Sequence, residues 1–317
     1  MVVVLRGRHN ATPPHTLLDA AHGRGQDWRT VIGQPPYPPG PMPPPRPRGA
    51  PALPAVVFTF LASVVVGGGL GAGVALLRGI PLTPEGLGSD PLTMGVSSAA
   101  TSATLIAAAL VCVGRGATPR WQALRMYRER LRALDILLAA VGVMSLGAVI
   151  DAVSWLLGVR GESTVDLIGD LVADASWPAF FALLLVIAIG PGLGEEMFFR
   201  GYLQTRLLGS QGRWKAIVIA ALVFGVFHLD PVHSPMAFCM GIYLGWVAER
   251  EDGIATVMVV HAINNGVSVV LSRFLPGGEP TLVENLVTLG VGSALGLLVT
   301  YILIRRQPDV ALRRQGA

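Results

Sequence analysis

After residue 54 the chain alternates long apolar runs with short polar connections, and the runs are longer than the core helices of most water-soluble domains. Runs of bilayer-spanning length fall at about 55–77, 92–114, 135–158, 177–208, 215–229, 235–249, 254–273 and 283–304. They predict an all-α fold, a polytopic transmembrane helical bundle of about eight spans. The fifth and sixth runs are short, at roughly 15 residues each, a length that buried or re-entrant helices share. Ahead of the first run, residues 1–54 carry Pro35, Pro36, Pro38, Pro39, Pro41, Pro43 to Pro45, Pro47, Pro51 and Pro54, too many missing backbone donors for helix or sheet. This predicts a disordered Pro/Arg-rich tail, a solvated spacer rather than a docking segment. The Val2 to Leu5 run is too short for a signal peptide. The expected organisation is a tail at 1–54, N-terminal transmembrane helices at 55–160 with an Arg-rich loop at 115–134, a core at 177–273, and a last helix with a basic tail at 283–317.

Composition agrees with the pattern. Hydrophobic residues make up 52% of the chain against 14% charged, with a mean hydropathy of +0.57, which excludes an ordinary soluble domain. The net charge of +4 does not point to nucleic acid, because the basic residues, all Arg except Lys215, lie in short clusters between apolar runs. With eight spans, only Arg78, Arg160 and Arg273 fall on the side opposite the rest, so both termini are expected to be cytoplasmic. Within the second cytoplasmic loop, Arg125, Arg128, Arg130 and Arg132 alternate with Leu124, Met126, Leu131 and Leu134. That spacing suits a helix over Trp121 to Leu134 lying on anionic lipid, with an Arg-rich connector as an equal alternative. Cys112 and Cys239 sit inside apolar runs with no metal-ligand spacing and read as small core residues. No nucleic-acid partner, cofactor or bound metal is expected.

Ionisable groups inside spans are costly and therefore mark function. Here they are Asp151, Glu195, Glu196, Arg200, His228 and His261, joined by the amides Asn264 and Asn265. Glu195 and Glu196 point about 100° apart on a helix, so they are expected to have separate roles. Glu196 and Arg200, four apart, can pair on one face, leaving Glu195 aimed elsewhere and Glu196 facing away from it. A carboxylate and an imidazole can together deprotonate a water, and an imidazole with an amide can donate to the oxyanion of an attacked carbonyl. Counting 1.5 Å per residue from the cytoplasmic boundary puts Glu195 about 17 Å deep, His228 about 20 Å, His261 about 12 Å and Asn265 about 18 Å, one layer near mid-membrane. Gly190-Pro191-Gly192 predicts a break in the long fourth span just before Glu195, where water could enter.

Three motifs on successive apolar segments carry a resemblance: Glu195-Glu196-x-x-x-Arg200, Phe224-x-x-x-His228 and His261-x-x-x-Asn265. Together they resemble the CAAX-protease and bacteriocin-processing (CPBP, Abi) family of intramembrane glutamic endopeptidases, over about residues 177–273. The resemblance implies an endopeptidase in which Glu195 and His228 activate water, His261 and Asn265 form the oxyanion hole, and Glu196, Arg200 and Phe224 support the site. It also implies a membrane-bound or lipidated protein or peptide as substrate. The Arg bias suggests a bacterial plasma membrane. Three alternatives stand beside this reading. One is a zinc-dependent protease at the same residues, though no H-E-x-x-H string occurs. The others are a proton-coupled transporter using Glu195, His228, His261 and Asp151, and a non-catalytic immunity protein.

Overall fold

The apolar runs fold as helices. The computed structural model describes residues 52–114, 118–126, 131–159, 164–275 and 280–306, and no strand occurs among the described residues. In chain order the helices are α1 (Ala52–Leu77), α2 (Pro84–Ser89), α3 (Pro91–Cys112), α4 (Arg120–Ala123), α5 (Ala133–Leu156) and α6 (Thr164–Asp174). They continue with α7 (Trp177–Gln211), α8 (Arg213–Val226), α9 (His233–Glu251), α10 (Ala255–Phe274) and α11 (Leu282–Arg305). Local chemistry sets their starts. Asp90 caps α3, its Oδ2 accepting from the Thr93 amide at 2.9 Å and from the Thr93 hydroxyl at 2.8 Å, with Pro91 at the first helical position. Thr281 and Glu284 form a capping box at α11.

Among the described residues, α1, α3, α5, α7, α10 and α11 are the 6 helices long and apolar enough to cross a membrane, and the chain is an integral membrane protein. The other two expected spans are helical but differ in kind. α8 has 14 residues, a rise of about 21 Å against a hydrocarbon core of about 30 Å, and α9, with 19 residues, is too polar to qualify. Large apolar side chains stay uncovered on the outer helices, for example Leu282, Val283, Leu286 and Val287 on α11, the surface that lipid would cover.

The centre of the fold is α7. It packs between α3 and α10, α8 pairs with α9, and α5 pairs with α11. Two glycines allow the close approach on either side of α7. A Cβ at Gly192 would lie 3.0 Å from the Met258 carbonyl oxygen on α10, and one at Gly194 would lie 2.7 Å from the Ser102 carbonyl oxygen on α3. From Glu196 to Gln204 the helix widens to π geometry, and all nine residues of that stretch are buried. The Thr205 hydroxyl donates to the Arg200 carbonyl at 3.0 Å, supporting the widened turn.

Several expectations are corrected. α7 does not break at Gly190-Pro191-Gly192: Pro191 lies inside a continuous helix, and the irregular segment comes after Glu195. α1 begins at Ala52 rather than at residue 55, because Pro54 falls in the first turn, where its missing N–H costs nothing. The lipid-binding helix over Trp121 to Leu134 is absent in that form. α4 is four residues long, and Arg125 adopts a positive φ of 59° and is buried, so it does not face lipid. Its guanidinium bonds Glu249, the Ala248 carbonyl at 3.0 Å and Asp252 at 3.2 Å, since a buried cation needs carboxylate partners more than a lipid surface can supply. Arg128 and Arg130, like the tail before residue 52 and the segment after residue 306, lie outside the described residues.

Candidate active site

Six of the expected site residues meet where α7, α8 and α10 converge. Glu196 is fully buried, and its Oε1 accepts from Arg200 Nη1 at 3.0 Å and faces His261 Nδ1 at 2.8 Å. On the other side of the same imidazole, Nε2 stands 3.8 Å from Glu195 Oε2, an ion-pair separation too long for a hydrogen bond. Glu196 therefore does not face away from the chemistry. A ring has two nitrogens on opposite edges, so residues about 100° apart on α7 can flank one histidine. Glu195 keeps some access, its side chain 18% exposed, whereas Glu196 has none.

Arg200 is held by more than its carboxylate. Nη2 donates to the Gly241 carbonyl at 3.3 Å, and the guanidinium lies 4.5 Å from the centre of the Phe224 ring. Phe224 links the three motifs. Its ring meets His228 edge-on at 4.9 Å and His261 at 6.2 Å, and its carbonyl lies 2.9 Å from His228 Nδ1. A carbonyl can only accept, so His228 carries its proton on Nδ1, and in the neutral ring Nε2 keeps the lone pair. This follows from α8 ending at Val226: His228 falls on the last turn, where the Phe224 carbonyl is an orphan.

Asn265, one turn after His261, makes a different contact. Its Nδ2 donates to the Ile187 carbonyl on α7 at 3.2 Å, and its Oδ1 accepts from Asn264 Nδ2 at 3.3 Å. Asp151 lies on α5, which packs chiefly against α11.

Two features escaped the sequence reading. The His233 ring lies 4.4 Å from that of His228, carried back by the turn at Asp230-Pro231. Asp230 organises that turn: Oδ1 accepts from the amides of Val232 at 2.8 Å and His233 at 2.7 Å, and Oδ2 from the Thr164 amide at 2.7 Å and hydroxyl at 2.8 Å. Burial alone would raise the Asp230 pKa, but these donors outweigh it and hold it at about 2. The Asp-Pro dipeptide is a turn signal that could have brought His233 into the group. Among the described residues no three His, Cys, Asp or Glu side chains are grouped so that they could hold a metal ion.

Residues 177–267 match the Rce1-like family model, type II CAAX prenyl endopeptidase Rce1-like. This supports the resemblance read from the motifs. The Rce1-like segment takes in α7, α8, α9 and most of α10, and it contains Glu195, Glu196, Arg200, Phe224, His228, His261 and Asn265. No curated protein and no solved structure matches the chain significantly.

Proposed function

We propose that the protein is an intramembrane endopeptidase that hydrolyses a peptide bond of a membrane-associated or lipidated protein, by CAAX-type or bacteriocin-type processing. In this reading Glu195, assisted by His228, takes a proton from water as the water attacks the scissile carbonyl. His261 and Asn265 donate to the oxyanion, and the proton passes to the departing amine as the intermediate collapses. The observation that carries the reading is the His261 imidazole held between Glu196 at Nδ1 and Glu195 beside Nε2. With Nδ1–H committed to Glu196, His261 donates from Nε2 only as the imidazolium. In that state Glu195, Glu196, Arg200 and His261 sum to zero charge, the condition under which buried ions are tolerated. His228, with its proton on Nδ1, presents a basic Nε2 for the water.

The metal-free form of the mechanism is preferred because the chain has no H-E-x-x-H string and because no three His, Cys, Asp or Glu side chains among the described residues are grouped so that they could hold a metal ion. The proposed setting is a bacterial plasma membrane with both termini cytoplasmic. α8 and α9 are consecutive, so this orientation holds whether that pair crosses the bilayer or enters and returns.

The test uses the purified full chain and a quenched fluorescent peptide ending in a farnesylated cysteine followed by two aliphatic residues and a variable one, with membrane peptides that accumulate in Glu195→Ala cells as a second probe. Hydrolysis that persists after chelation is expected. Loss on chelation with recovery on adding Zn²⁺ would contradict the metal-free mechanism. Failure to cleave either probe would contradict the protease.

A further inference from the structure

The Gly190-Pro191-Gly192 string lies in the middle of a helix, where proline is disfavoured because it removes an N–H from the ladder. The carbonyl deprived of its donor is the one four residues back, Ile187. That same carbonyl accepts from Asn265 Nδ2 at 3.2 Å. Gly192 permits the contact by letting α10 approach so closely that a Cβ there would lie 3.0 Å from the Ala262 amide nitrogen.

We infer that Pro191 is a positioning residue for Asn265, withholding its own N–H so that the Ile187 carbonyl is free to anchor the Asn265 amide. The anchor sets orientation as well as place. A carboxamide can usually turn over, exchanging its oxygen and nitrogen. Against a carbonyl oxygen only the nitrogen side is tolerated, and Asn264 Nδ2 holds the Asn265 oxygen at 3.3 Å on the other side. One hydrogen of Nδ2 is used by Ile187, and the second remains for a ligand. An oxyanion hole needs a donor fixed in this way before the reaction begins. Proline in this helix thus orients a donor on its neighbour rather than opening a path for water. The inference rests on the reading of Asn265 as an oxyanion donor.

The experiment compares wild type, Pro191→Ala, Asn265→Ala and the double variant, each as the purified full chain. Alanine is smaller than proline, so it adds no bulk, and it restores the N–H that Ile187 would take in an unbroken ladder. Asn265→Ala should lower Tm when Pro191 is present, because the Ile187 carbonyl is left unsatisfied, and should shift it little when residue 191 is alanine. Equal Tm losses in both backgrounds would overturn the inference. In hydrolysis of the farnesylated peptide or the accumulated membrane peptide, Pro191→Ala should lower kcat roughly tenfold with KM unchanged, less than the order of 10²-fold of losing a donor outright. It should have no further effect once Asn265 is alanine. Multiplicative losses in the double variant, or full activity of Pro191→Ala beside an impaired Asn265→Ala, would also overturn it. Full activity of Asn265→Ala would instead overturn the oxyanion role, leaving the Tm coupling intact. Pro191→Gly restores the same N–H and replaces the alanine variant if that one does not fold.

Discussion

At the residue scale, a buried carboxylate and guanidinium stabilise a helix only as a pair. Arg200 gives Glu196 an ionic hydrogen bond and stacks on Phe224, with 1% of its side chain exposed, so removing it leaves Glu196 charged and enclosed. Arg200→Ala should cost about 3–5 kcal/mol, read as a loss of Tm or of detergent-soluble yield. Glu195 is partly exposed, and the His261 imidazole beside it stands 3.8 Å away, beyond hydrogen-bond distance, so Glu195→Ala should cost far less. Equal stability of the two variants would contradict the division into a supporting pair and a free base. The Glu196–Arg200 pair was readable from the i,i+4 spacing. The contact of Glu196 with His261 was not, because helical spacing fixes which residues share a face but not which side chains a second helix presents between them.

At the element scale, the turn between α8 and α9 depends on one carboxylate. Asp230 starts α9 and ties the turn to the first residue of α6. Its pKa is lowered from 3.8 to about 2, so the ionised form is favoured in the folded chain. The stabilisation is complete above about pH 4 and disappears as pH falls through about 2, and the shift corresponds to about 2 kcal/mol. Melting curves from pH 6 to pH 2 should therefore show Asp230→Asn less stable than wild type at pH 6, with the gap closing toward pH 2. A gap independent of pH would contradict the assignment. Hydropathy located the helices of this region within a few residues, since apolar length is a direct signal. It left the segment carrying Arg125 open between a lipid-facing helix and an Arg-rich connector, because positive charge flanked by leucine reads equally as either. The difference lies in Glu249 and Asp252, more than a hundred residues away.

At the scale of the whole molecule, the arginine distribution is the ground for the proposed orientation, since the helices alone do not distinguish the two sides. With Cys112 and Cys239 replaced, a cysteine introduced at position 120 and a C-terminal tag should react from the cytoplasmic face, and a cysteine at 166 from the opposite face. Labelling of 120 and 166 from the same side would contradict the proposed orientation. The candidate site lies on α7, α8 and α10, where six side chains up to 66 residues apart in the chain, from Glu195 to His261, come together. Residue types and their helical spacing made the group legible, whereas the π segment and the proline-released carbonyl are backbone features without a side-chain pattern of their own. The most direct test of the account is Glu195→Gln, which keeps the shape of the side chain and removes its ability to accept a proton. Hydrolysis of the farnesylated peptide, or of the membrane peptide that accumulates without activity, should fall by at least 10²-fold, within the roughly 10²–10⁴-fold range of lost general-base catalysis, while Tm stays near wild type. Unchanged hydrolysis by a folded Glu195→Gln protein would contradict it.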